Sequence, residues 1–79
     1  TVLDDLMPKD NITNNIRKLR FEHGEMTQAE LAKRVGCSRQ TIVLLEQGRY
    51  APSLALAFKV ACVFDKTIDN IFTYESNDK

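Results

Sequence analysis

The sequence predicts an all-α protein, a compact bundle of five short helices in 79 residues. Three observations carry that prediction. Apolar residues recur at three- and four-residue spacing in successive segments, which is the period of a helix with one buried face. Ser, Thr or Asn stands just ahead of each segment, and Gly follows the first three, as helix starts and stops require. No stretch alternates apolar and polar residues as a half-buried strand would, so no strand is expected.

Each element can be justified in turn. Residues 1–10 have no sustained period, and Pro8 breaks any helix there, so they read as an N-terminal arm. The first helix is expected to begin near Asp10 or Asn11, either of which can cap it. Ile12, Ile16 and Leu19 mark its core face, and Gly24 ends it. The second opens on Thr27 with Glu30 three residues on, a capping-box pattern in which hydroxyl and carboxylate each serve the other's amide. Its buried stripe is Leu31, Ala32 and Val35, and Gly36 permits a left-handed turn. The third helix opens on Ser38 and buries Ile42 and Leu45, with Gly48 as its stop. Ser53 caps a fourth helix running through Leu54, Leu56, Ala57, Val60, Ala61 and Phe64. Its wide apolar stripe reads as a helix largely inside the bundle, with Cys62 as core. A last short helix follows Thr67 and buries Ile68, Ile71 and Phe72. Residues 11–74 thus form the folded domain and 75–79 a polar tail.

Composition narrows the classes of function. No apolar run approaches the roughly 20 residues that span a bilayer, so no membrane partner is expected. Two cysteines, Cys37 and Cys62, are too few for a disulfide framework and read as free thiols in a reducing, cytoplasmic setting. With one histidine, His23, and no other residues at ligand spacing, neither a metal site, a cofactor nor an enzyme is expected. The net charge is zero, yet it is unevenly spread. Residues 14–49 hold seven cations against four anions, and the rest of the chain holds the reverse. A basic middle with acidic ends suits a face that meets phosphates.

The second and third helices, joined by the turn at Gly36, have the form of a helix-turn-helix, whose second member lies in the DNA major groove. Arg39 and Gln40 occupy the first turn of that member. Arg can donate two hydrogen bonds to guanine O6 and N7, and Gln can pair bidentately with adenine. Thr41 can reach a base or a phosphate, and Leu44, on the outer side, can touch a thymine methyl. Thr27, Gln28 and Ser38 stand at helix N-termini, where free amides and the dipole favour phosphate. Gln47, Arg49 and Tyr50 follow the reading helix and can clamp the backbone across the groove. Arg20, beside Leu19, and Glu46, beside Leu45, are placed for an ion pair that sets the angle of the reading helix against the first. Cys37, in the turn, is also a candidate redox switch of docking.

Gln28-Ala-Glu-Leu-Ala, Gly36, Ser38-Arg-Gln-Thr-Ile, Leu45-Glu46-Gln-Gly48 and Tyr50-Ala-Pro-Ser53 resemble the lambda repressor/Cro-like, or Xre-type, helix-turn-helix family. Leu54-x-Leu-Ala-x-x-Val-Ala-x-x-Phe64 and Ile68-x-x-Ile-Phe72 extend the resemblance, which covers roughly residues 11–74. It implies a five-helix DNA-binding domain acting as a homodimeric repressor on a palindromic operator. It also implies phosphate contact at Gln28, base reading at Arg39, Gln40 and Leu44, and the Arg20–Glu46 pair. Two departures stand out: Glu25 is an extra residue before the second helix, and Val43-Leu44 replaces a more polar surface. The alternative is an antitoxin that binds a toxin and represses its own operon. The dimer interface is expected on the helix after Thr67, with Phe72 and Tyr74, or on the arm before Pro8.

Overall fold

The computed structural model describes residues 11–75. The expected arm at 1–10 and residues 76–79 of the expected tail lie outside them. Element order is β1 (Asn11–Asn14), α1 (Ile16–Glu22), α2 (Gln28–Val35), α3 (Arg39–Glu46), α4 (Leu54–Phe64), α5 (Ile68–Ile71) and β2 (Phe72–Glu75).

Five helices are present, but the domain is not purely helical. β1 and β2 form a two-stranded antiparallel sheet in which Ile12 faces Tyr74 and Thr13 faces Thr73. The start of the first helix is corrected by this pairing: α1 begins at Ile16, and Asn11 is in a strand. Ile12 and Ile16 are four apart and mimic a helical stripe. Ile12 is in fact only half-buried in the sheet, while Ile16, Leu19 and Arg20 form the inner face of α1. The turn between strand and helix belongs to Asn14, whose Oδ1 accepts the Ile16 amide at 3.1 Å. This local asparagine bond turns the backbone where a cap at Asp10 or Asn11 was expected. At the other end, α5 lasts four residues. Phe72 leaves it at φ −110 and ψ 138 and enters β2, so it is a half-buried strand residue and not part of the last helix. Thr73, Tyr74 and Glu75 likewise belong to the sheet, so Glu75 does not begin a tail.

The caps of the middle helices are local chemistry. The side chain of Thr27 accepts the Glu30 amide, that of Ser38 the Thr41 amide, and that of Ser53 the Leu56 amide. Each satisfies a donor that the helix leaves orphaned. The carboxylate of Glu30 bonds Arg34 at 2.7 Å, so only the hydroxyl half of the expected capping box is seen. Gly36 closes α2 at φ +77, in the left-handed region that costs glycine nothing.

The core is continuous across all five helices. Ile16, Leu31, Ile42 and Val60 are fully buried, and Leu45, Phe64 and Ile71 nearly so. Met26 also enters it, from the loop before α2. α4 buries Leu56, Ala57, Val60, Ala61 and Phe64, as its spacing predicts. It does not bury the rest of its apolar side chains. Leu54 is 69% exposed and Cys62 is exposed, which corrects the reading of α4 as enclosed and of Cys62 as core. The reason is geometric: a helix against one layer of partners has an outer side whatever residues occupy it.

Candidate nucleic-acid interface

α2 and α3 pack closely across the turn at Gly36, whose amide bonds the Ala32 carbonyl at 2.9 Å, with the Cys37 amide on the same oxygen at 3.0 Å. Those two bonds end α2 in a tight reversal and deliver Ser38 to the head of α3. Ile42 and Leu45 then anchor α3 inward. Arg39 and Gln40 are left exposed in its first turn. Thr41 is half-buried, and its hydroxyl lies 2.9 Å from that of Ser38, so these two side chains are engaged with each other. Leu44 and Val43 are half-buried, at the edge of the outer surface.

A buried polar cluster holds the far end of α3. Arg20 Nε donates to Glu46 Oε2 at 2.7 Å and its Nη2 donates to Oε1 at 3.1 Å, a two-pronged pairing that fixes direction as well as distance. The remaining Nη1 donates to the Met26 carbonyl at 2.7 Å. One guanidinium therefore joins α1, the loop before α2 and the last turn of α3. Gln28 Nε2 adds a fourth bond, to Glu46 Oε1 at 3.2 Å. Arg20 is only 6% exposed, so the pair sits in a medium where charges cannot lose their partners cheaply.

A cleft of about 440 Å³ opens over this cluster, lined by Arg17, Phe21, Gln28, Val43 and Gln47 with the ion pair at its floor. It brings together two of the residues expected at phosphates, Gln28 and Gln47. Arg49 and Tyr50 are exposed beyond the end of α3 and line a separate small groove with Ile12 and Gly48. Thr27 is exposed at the start of α2.

A family model described as Helix-turn-helix matches residues 16–71. The chain belongs to the lambda repressor-like, Xre-type helix-turn-helix family. An uncharacterized HTH-type transcriptional regulator of Archaeoglobus fulgidus is 51% identical over 63 residues, covering 80% of this chain and 89% of its own length. One from Methanocaldococcus jannaschii is 48% identical over 65 residues, covering 82% and 97%. Among solved structures, the transcriptional regulator VanUg superposes with a TM-score of 0.68 at 17% identity, over 91% of this chain and 95% of that one. That last likeness speaks for the fold.

Within this helix-turn-helix domain two positions that bear on the candidate site escaped the sequence reading. Asn14 Nδ2 donates to the Leu45 carbonyl at 2.8 Å, so the strand before α1 holds the C-terminal end of α3. Nothing in the local pattern announces a contact 31 residues away. Arg17 lies one helical turn before Phe21, and its guanidinium sits 5.6 Å from that ring's centre. It is the cation of the cleft that is not tied into the ion pair, and its spacing from Arg20 on one helix was a usable signal. Cys37 is half-buried, and desolvation pushes its thiol above the ordinary value, with Lys59 opposing. A raised thiol carries little thiolate at neutral pH, which runs against the redox reading of this residue. His23 closes α1, with Nδ1 2.9 Å from the Leu19 carbonyl and its ring edge-on to Phe64 at 5.1 Å. Among the described residues no three His, Cys, Asp or Glu side chains gather as a metal site would need. None of the helices described is long and apolar enough to cross a membrane.

Proposed function

We propose that this protein is a transcriptional regulator that binds double-stranded DNA in a sequence-specific way. It acts as a homodimeric repressor on a palindromic operator. One observation carries the reading: polar bonds from Asn14 and Arg20 fix the C-terminal end of α3, while Arg39 and Gln40 stand exposed in its first turn. Helix-turn-helix proteins read base edges with that turn. The core and the bonds from Asn14, Arg20 and Glu46 leave these side chains no structural task.

In this reading Arg39 recognises guanine and Gln40 adenine, and Leu44 packs on a thymine methyl. Thr41 shares its hydroxyl between Ser38 and the nucleic acid. Thr27, Gln28, Ser38, Gln47, Arg49 and Tyr50 meet phosphates, and Arg17 adds charge from the cleft. The Arg20–Glu46 pair takes no part in contact and sets the angle at which α3 enters the groove.

The test is selection of bound duplexes from random DNA, for the wild type and Arg39→Ala. The wild type should enrich a two-fold symmetric site with half-sites about 34 Å apart. Arg39→Ala should relax one position per half-site by about 1–3 kcal/mol and leave the others. No retention of any duplex at low salt would overturn the function, and an unchanged preference would overturn the role of Arg39.

A further inference from the structure

Phe21 is 53% exposed on α1 and stands outside the buried core cluster. A lone exposed ring is ordinary on a protein surface. Two features set this one apart. The guanidinium carbons of Arg17 and Arg20 each lie 5.6 Å from its centre, so both arginines of α1 rest against it. The ring and Arg17 also line two openings: the cleft of about 440 Å³ over the ion pair, and a second bounded by Asn14, Lys18 and Glu22. The two arginines are held differently. Arg20 is buried and spends Nε, Nη1 and Nη2 on Glu46 and the Met26 carbonyl. Arg17 is exposed, and among the described residues no carboxylate lies within ion-pair distance of it. What it touches is the ring.

We infer that Phe21 is a positioning residue: its ring holds the Arg17 guanidinium at the cleft, ready for the phosphate that Gln28 and Gln47 border. This role deepens the proposed DNA reading and rests on it. An exposed arginine samples many rotamers, and binding must freeze them. A ring four residues on, one turn along the helix, removes part of that freedom beforehand. The attraction is between the cation and the electron-rich face of the ring, which an aliphatic side chain lacks. A guanidinium that rests by its face keeps its in-plane N–H donors free for oxygen. Arg20 is placed by its three bonds and needs no such support; Arg17 has only the ring, among the described residues, to place it.

Fluorescence anisotropy on the full chain, with the duplex the wild type selects and a series of salt concentrations, tests the inference. The variants are Phe21→Leu, Phe21→Tyr and Arg17→Ala, with Phe21→Leu also made in the Arg17→Ala background. Both positions are exposed, so all should keep the wild-type helical circular dichroism. Phe21→Leu should weaken binding by roughly 2–10-fold, the cost of ordering one long side chain on contact. Its salt slope should stay that of the wild type, because Arg17 still reaches the phosphate. Phe21→Tyr, which keeps the ring, should bind as the wild type does. With Arg17→Ala in place, Phe21→Leu should change nothing further. An equal loss in that background overturns the inference, since the ring would then touch DNA itself or serve the ion pair. So does a Phe21→Leu protein that binds like the wild type. In the free protein, NMR should find the Arg17 Cδ protons moved upfield by the ring, and returned in Phe21→Leu; no such displacement also overturns it. Displaced protons in a wild type that retains no duplex at low salt would sink the proposed function, and the phosphate role of Arg17 with it, while the ring contact stood. Duplex binding without coupling between the two residues would sink this inference alone.

Discussion

Arg20 and Glu46 are worth more as a pair than either is alone. Glu46 accepts from Arg20 twice and from Gln28 once, all within a nearly closed site. Glu46→Ala strands a buried guanidinium, and urea denaturation should register a loss of about 3–5 kcal/mol. Replacing both members, as Arg20→Met with Glu46→Leu, removes the stranded charge, so the double variant should lose less than Glu46→Ala. A double variant weaker than the single one would show that the bond from Arg20 to the Met26 carbonyl dominates. At Cys37 the burial that raises the thiol predicts slow chemistry. In a Cys62→Ser background, iodoacetamide should react sluggishly at neutral pH, with the rate still climbing as pH passes the ordinary thiol range. A plateau at or below neutral pH would contradict the placement. Both cysteines and the ion pair were visible as candidates in the sequence. The direction of the shift at Cys37 was not, because it depends on how tightly the turn packs.

At the scale of elements, the segments whose signals are local were legible. Thr27, Gly36, Ser38 and Ser53 mark their boundaries through bonds spanning three or four residues, and the helices they bound are where the sequence puts them. β1 was not legible. It is four residues long, its partner lies about sixty residues away, and Ile12 happens to fall in step with Ile16. Nor was the outer side of α4, since a helix apolar nearly all round does not say which side is inside. The strand gives a test: Asn14→Ala removes both the Ile16 bond and the Leu45 bond, and should cost about 1–3 kcal/mol in thermal or urea unfolding. The loop before α2 gives another. Glu25, the extra residue, has φ +55 directly after Gly24 at +78. A side chain in that region costs roughly 1–2 kcal/mol and glycine's entropy returns part of it, so Glu25→Gly should stabilise by about 0.5–1 kcal/mol. A lower melting temperature would mean that the glutamate has an unseen compensating role.

For the molecule as a whole, zero net charge coexists with a cation-rich middle segment because acids gather toward the two ends of the sequence. Binding to duplex should therefore weaken steeply with salt even though the protein is neutral, since each phosphate contact contributes a slope near −0.9 in log K against log salt. Arg17→Ala should lower that slope by about 1 without changing which sequence is preferred. An unchanged slope would place Arg17 away from phosphate. The family resemblance was readable because it rests on a chain of local punctuation; the pairing of β1 with β2 and the exposed apolar side chains of α4 come only from the assembled fold.

That pairing has a consequence for how the domain can be used. Asn11 stands opposite Glu75, so the described residues begin and end as neighbours across one sheet, about 5 Å apart. A polypeptide threaded through this domain leaves where it entered. It should therefore tolerate being spliced as a cassette into a surface loop of a host protein, or being recut with new termini once a short linker closes 75 to 11. In either format α3 would keep its seat, because Asn14 fastens it from within the spliced segment.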